Sequence, residues 1–238
     1  MTEIIRIAAS QFPVSGSVKR NAKYICSQIS KAKEIGADVI HFPECAISGY
    51  APKHFGSLKS YNWNELAGYT QEILRLASAK QIWIILGSMR KIEGSLPRIC
   101  VFVISDKGKI VGIYDKRRLY KGEKELFSPG RKPCIVEING FKCGILVCYD
   151  NCFPELYSEY REAGVGLIFH SFHNAANQYR TSISDLMHAN LLVRAADNQI
   201  WISASNSSCR YSPLSASIVR PDGSFKRARR NVSGLIVG

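Results

Sequence analysis

The sequence predicts an α/β protein: a four-layer α-β-β-α sandwich made of two similar β-α-β-α-β-hairpin halves, in a single domain over residues 1–238. Three observations carry this. Short apolar runs of strand length alternate with longer stretches of helical period. The order of elements repeats once. The repeat is visible in the residues: GADVIHFPE (36–44) corresponds to GVGLIFHSF (164–172), and QIWIILGSM (81–89) to NQIWISASN (198–206). Right-handed crossovers put both helices of a half on one face of its sheet. The other face stays apolar, and two such faces can cover each other. A simple doubly wound sheet is the alternative, and the repeat argues against it.

In chain order, residues 4–9 read as a strand. Residues 18–35 set Ala22, Ile25, Ile29 and Ala32 at helical spacing, closed by Gly36. A second strand, 37–42, ends at Pro43-Glu44, and a loop with Gly49, Tyr50 and Pro52 follows. Residues 65–80 form a helix and 82–86 a third strand. Strands 98–104 and 110–114 flank the turn Asp106-Lys107-Gly108. A loop over 116–133 leads to strand 144–148, then a helix to Ala163 stopped by Gly164. Strand 165–170, helix 182–197 and strand 200–204 come next. A hairpin of 215–219 and Phe225 around Pro221-Asp222-Gly223-Ser224 completes the second half.

At 46% hydrophobic and 21% charged residues, the chain can bury a sizeable core. No apolar run has the length of a membrane span. The first residues go straight into a strand pattern without a signal peptide, so a cytoplasmic protein is expected. The eight cysteines are scattered, mostly in apolar surroundings, and read as buried packing residues. Zinc is the other reading for Cys143, Cys148, Cys152, His170 and His173. Five-residue spacing on one strand points Cys143 and Cys148 to opposite faces, and no CxxC pair is present, so no metal is expected. The formal charge of +13 suggests attraction to anions. Its densest cluster is Lys226-Arg227-Ala228-Arg229-Arg230, but no nucleic-acid-binding signature accompanies it. A basic surface, rather than a nucleic-acid partner, is the expectation.

The chain is organised around GFKCGILVCYDNCFPE, residues 140–155. A buried-strand run ends at Cys148, and Pro154 opens a helix shortly after. A thiol on that turn sits near unpaired backbone N–H groups, which favour a thiolate or a developing oxyanion. Cys148 is therefore the candidate nucleophile. It needs a base and an oxyanion stabiliser. No histidine has an obvious placement, although His170 and His173 end a strand and could reach a pocket. Glu44 and Lys116 also lie at strand ends.

Phe42-Pro43-Glu44, Tyr114-Asp115-Lys116-Arg117-Arg118-Leu119 and Cys148-Tyr149-Asp150-Asn151-Cys152-Phe153-Pro154-Glu155 together resemble the nitrilase superfamily of carbon–nitrogen hydrolases. The likeness extends through Arg194-Ala195-Ala196-Asp197-Asn198 and Pro221-Asp222-Gly223. It implies an α-β-β-α sandwich and a Glu-Lys-Cys triad, with Glu44 as base, Lys116 as oxyanion stabiliser and Cys148 as nucleophile. It also implies a second glutamate in a Glu-Lys-x-x-Phe-x-Pro-Gly stretch. Glu123 fits that place, with Glu125 in reserve. The backbone N–H of Tyr149 would be the other oxyanion donor.

On this resemblance Lys116 would favour the Cys148 thiolate. Tyr50, His173 and Asn174 would line the pocket. Asp150 and Glu155 would fix the elbow and the helix start. Cys152 departs from the arginine often found before Phe-Pro-Glu, and reads as packing or as redox-active. The expected substrate is a small amide or N-carbamoyl compound. A nitrile substrate, or a catalytically inactive binding protein on the same fold, are the alternatives. No cofactor is required, and a homodimer or larger homo-oligomer is expected. On the same resemblance, the C-terminal extension many members use to bind a partner subunit is not expected here.

Overall fold

The computed structural model describes residues 4–174 and 182–238. The first half runs β1 (Ile7–Phe12), α1 (Val18–Glu34), β2 (Val39–His41), α2 (Ala51–His54), α3 (Trp63–Lys80), β3 (Trp83–Arg90), β4 (Arg98–Ile104) and β5 (Ile110–Asp115). The second runs β6 (Ile135–Ile138), β7 (Phe141–Val147), α4 (Pro154–Glu162), β8 (Leu167–Ser171), α5 (Ser182–Asn198), β9 (Trp201–Ser207), β10 (Ser217–Val219), β11 (Phe225–Arg227) and β12 (Gly234–Val237).

The helices start where side chains can cap them. Ser17 accepts from the Arg20 N–H at 3.2 Å and opens α1, and Asn62 accepts from the Glu65 N–H at 3.0 Å and opens α3. The Asn62 cap is why α3 begins at Trp63 rather than at Glu65. In α1 the apolar face Ala22, Ile25, Ile29 and Ala32 is buried as expected. At α4, Pro154 takes the first helical position.

Strand order is β5-β4-β3-β2-β1-β9-β8-β7-β6. β1, β2 and β3 pair in parallel, as do β7, β8 and β9; hairpins add antiparallel strands outside them. β1 meets β9 only through Gln11 and Phe12, so the two half-sheets join at one corner and otherwise stack face to face. Alternation along the strands makes the layers. Ala8, Phe12, Ile40, Ile84 and Leu86 pack on Ile25, Ile29 and Ile73 of α1 and α3. Val39, Ile85, Val101 and Val103 turn the other way and share a core with Ile145 and Phe169. The remaining face of the second sheet carries α4 and α5. There the Tyr160 ring lies so close to β7 that a Cβ at Gly144 would meet it at 2.8 Å. Each fully buried Leu, Ile or Phe contributes about 1.5–3 kcal/mol, so this inner apolar layer is what holds the halves together. The result is the expected α-β-β-α sandwich.

Three elements were not foreseen, and one strand is displaced. β1 spans Ile7–Phe12, not 4–9, and Ile4 is exposed. The alternating N-terminal pattern concealed that Ser10 and Gln11 are buried, with their polar groups bonded to Gln28, Ala216, Arg229 and Val232. β6 and β12 are four-residue strands, β6 in a tight hairpin with β7 and β12 paired with the distant β1, and α2 is a single turn. None has enough local signal to stand alone. Among the described residues, no helix is long and apolar enough to cross a membrane.

Candidate active site

Glu44 sits just past β2. Its backbone N–H donates to Phe172 O at 3.2 Å, pinning the first half to the second. The turn lies hard against β3, where a Cβ at Gly87 would be 1.9 Å from Pro43 O. Lys116 follows β5, whose last residue, Asp115, is gripped by Arg90 and Arg98 at 2.6 and 2.8 Å. Main-chain bonds from Lys116 N to Ile99 O and from Gly130 N to Lys116 O hold the segment in place. Glu123 lies on a single 3-10 turn, Lys121–Glu123, where its Oε2 accepts the Tyr120 N–H at 2.7 Å.

Cys148 leaves β7 with φ 45°, a left-handed conformation rare for a residue with a side chain. Asp150 holds this bend. Its Oδ2 accepts the Val147 N–H at 3.0 Å and the Tyr114 hydroxyl at 2.8 Å, and its Oδ1 accepts the Arg118 N–H at 2.9 Å. One buried carboxylate thus ties the Cys148 bend to the Lys116 segment. Glu155, read as the helix-start residue, pairs with Arg118 at 2.9 Å.

The structure brings the four sequence-selected side chains together. Lys116 Nζ donates to Glu44 Oε1 at 2.7 Å and to Glu123 Oε1 at 2.6 Å, with all three side chains fully buried. Tyr50 donates to the same Glu123 oxygen at 2.9 Å. Glu44 Oε2 has no partner of ordinary hydrogen-bond geometry among the described residues, and the Cys148 thiol lies beside this carboxylate and acts on its pKa. Cys148 Sγ donates to Asn174 Oδ1 at 3.5 Å. Glu125, the reserve for the second glutamate, is exposed.

The electrostatics follow from burial. Glu44 is raised to about 7 because burial disfavours its charge; Lys116 opposes the shift and Glu123 adds to it. Burial also disfavours the Lys116 ammonium, but Glu123 and Glu44 outweigh it and hold that pKa well above the usual lysine value. Burial, then Glu44, pushes the Cys148 thiol well above 9, against a smaller pull from Lys116. This corrects the expectation that Lys116 makes a resting thiolate: desolvation and two carboxylates dominate the local field.

Tyr50 stacks on His173 with ring centroids 4.8 Å apart, and His54 meets His173 edge-on at 5.6 Å. His54 lies on α2, and its Nδ1 accepts the Tyr50 N–H at 3.0 Å. Burial, with His54 and Lys53 adding, lowers His173 to about 3, so it is a neutral ring. Tyr50, His173 and Asn174 therefore sit on the Glu123 and Cys148 side of the cluster. The Tyr149 ring packs between Tyr120 and Phe153, at 5.3 and 5.4 Å. His170 does not share this space. It faces the helical layer, bonded to Tyr157 at 2.7 Å, with its other nitrogen 3.3 Å from Cys148 O. His41 is buried between the sheets among Ser171, Ser203 and Ser205.

Sequence reasoning missed the Tyr120 N–H contact, because a backbone donor leaves no mark in a sequence. It also missed the Arg90 and Arg98 grip, where charged residues on neighbouring strands could have been a signal. Among the described residues, no group of three His, Cys, Asp or Glu side chains could hold a metal. The sequence model for carbon-nitrogen hydrolases matches residues 6–237.

The chain belongs to the carbon-nitrogen hydrolase family.

Nitrilase homolog 2 of Dictyostelium discoideum is 27% identical over 216 residues, which cover 85% of this chain and 63% of that protein. A glutamine-dependent NAD(+) synthetase of Xylella fastidiosa is 34% identical over 164 residues, 65% of this chain and 29% of that protein. The chain thus spans less than two thirds of both relatives. An omega-amidase of Xenopus tropicalis is 28% identical over 213 residues, 84% of this chain and 74% of its own length. Among solved structures, an amidase from Nesterenkonia sp. superposes with a TM-score of 0.85 at 23% identity, covering 98% of this chain and 89% of that one. That likeness concerns the fold alone, the α-β-β-α sandwich described above.

Proposed function

We propose that this carbon-nitrogen hydrolase cleaves a non-peptide C–N bond in a small amide or N-carbamoyl compound through a thioester on Cys148. The observation that carries the reading is the buried Glu44–Lys116–Glu123 cluster, with the Cys148 thiol beside Glu44. The names of the omega-amidase and amidase relatives agree with an amide substrate.

The chemistry balances on these groups. Ionised Glu44 accepts the thiol proton as sulfur attacks the carbonyl carbon. The carbonyl electrons move to oxygen, which the Lys116 ammonium and the Tyr149 N–H stabilise. When the tetrahedral centre collapses, the C–N bond breaks and Glu44 returns the proton to the departing amine or ammonia. Water then attacks the thioester, Glu44 takes its proton, and the thiol is restored as the acid leaves. A carboxyl group near 7 suits both proton transfers. Glu123 holds Lys116 charged and oriented, and Tyr50 braces Glu123.

In this reading residues 1–238 act as one domain without a cofactor. A reducing, cytoplasmic setting is supported by eight unpaired cysteines. The expected homodimer is supported by Leu186 and Val193, two exposed apolar residues seven apart on α5, and light scattering tests it. The activity test is a panel of amides, N-carbamoyl compounds and nitriles assayed for ammonia, alongside iodoacetamide labelling read by mass spectrometry. Label on Cys148, lost in Cys148→Ala, is expected. Label on another cysteine with Cys148 unmodified would overturn the site assignment.

A further inference from the structure

The basic cluster near the C-terminus has no part in that chemistry, and the fold turns it into one wall of a cavity of about 650 Å³. Arg227, Arg229 and Arg230 line it opposite Leu192 of α5 and the Pro213-Leu214 segment. Among the described residues no acidic one lines it, and none of the three arginines is in an ion pair.

The arginine segment is held by a buried glutamine. Gln11 of β1, 1% exposed, donates from Nε2 to Arg229 O at 2.9 Å and to Val232 O at 2.7 Å, and its Oε1 accepts the Ala216 N–H at 2.7 Å. Ala228 N–H donates to Ala216 O at 2.8 Å. One glutamine therefore ties the arginine segment to the neighbouring chain at Ala216, with which it is also hydrogen-bonded. This is a shaped space and not only a run of surface charge.

We infer that this cavity is a second binding site, and that it takes a small molecule bearing two or more phosphates. Its volume lies in the range of small-ligand sites. Planar guanidiniums match phosphate oxygens bidentately, and several on one wall favour a polyphosphate over a single carboxylate. Ser215 and Ser217 add hydroxyls, while Leu192 and Leu214 offer apolar surface for a ring. A half-open recess of this size suits a nucleotide better than an extended nucleic-acid strand, which would need a groove running past the cluster.

The probes are ATP, inorganic pyrophosphate and a 20-nucleotide single-stranded RNA, titrated by calorimetry near physiological salt. Saturable binding of ATP at one per chain is expected, with pyrophosphate competing. Arg229→Ala with Arg230→Ala should weaken ATP by about tenfold or more. Leu192→Trp, which fills the cavity and keeps every charge, should weaken it comparably. On the unmodified protein, ATP should protect the peptides carrying Arg229 and Arg230 from phenylglyoxal, so the idea can be tested even if a variant fails to fold. No saturable ATP or pyrophosphate binding at millimolar concentration, ATP affinity unchanged in Leu192→Trp, or RNA bound more tightly than ATP would each overturn the inference. The last would identify a nucleic-acid surface instead. Amide hydrolysis plays no part in these readouts, so they stand apart from the proposed activity.

Discussion

The Lys116 ammonium donates to Glu44 Oε1 at 2.7 Å, with neither side chain open to solvent. An ion pair in that setting depends on both members, since removing one strands a buried charge. Lys116→Met should therefore lose about 3–5 kcal/mol of stability and, by removing an oxyanion donor, about 100–1,000-fold in kcat. Urea unfolding and ammonia release measure the two. A variant as stable as the parent would show that the cluster is not charged as described.

The pH dependence follows from Glu44. Burial raises it to about 7. Below that pH it is protonated and cannot accept the thiol proton; above it, it can. Activity as kcat/KM should rise with pH with unit slope around 7 and then level off, and iodoacetamide labelling of Cys148 should follow the same rise. Glu44→Gln should abolish the rise along with most of the turnover. A rise in Glu44→Gln with the parent's midpoint would assign the base elsewhere.

Tyr50 reaches Glu123 through a single hydroxyl. Tyr50→Phe keeps the stack on His173 and removes that bond, at a cost of about 1 kcal/mol. The expected result is a fall of about fivefold in kcat with KM little changed. A change confined to KM would mean that the hydroxyl contacts substrate instead.

Cys148 has φ 45°, which glycine adopts without the steric cost a Cβ brings. Cys148→Ala and Cys148→Gly should both be inactive, yet the glycine variant should be the more stable by up to about 1 kcal/mol. Paired denaturant titrations decide it. Equal stability would mean that the bend stores no strain.

A Cβ at Gly87 would fall 1.9 Å from Pro43 O, on the turn that carries Glu44. Gly87→Ala must push that turn away, so activity should fall by about 100-fold or more in whatever protein remains folded. Circular dichroism and ammonia release, measured together, separate lost fold from lost alignment.

Much of this was readable along the chain. The residues around Gly36 and Gly164, and the two Ile-Trp-Ile runs, carried the duplicated architecture, because strand and helix periods are local properties. Glu44, Lys116 and Cys148 were identifiable because each ends a strand within a motif of its family. The choice of Glu123 over Glu125 rested on loop register; in the fold the former is buried against Lys116 and the latter is exposed.

Other features had no local trace. β12 exists because β1 offers it an edge more than two hundred residues away in sequence. The grip of Asp150 on Tyr114, and of Arg90 and Arg98 on Asp115, joins residues from separate elements. The charge states in the site were also outside the sequence's reach. The turn and the family resemblance suggested a thiolate at Cys148, whereas desolvation, which depends on everything packed around the sulfur, favours the thiol. The amino-acid order by itself determined the layers, the chain reversals and the three candidate side chains. Folding alone decided how far apart those side chains lie, how dry they are and which of them carries the proton, because distance and dielectric belong to the packed molecule.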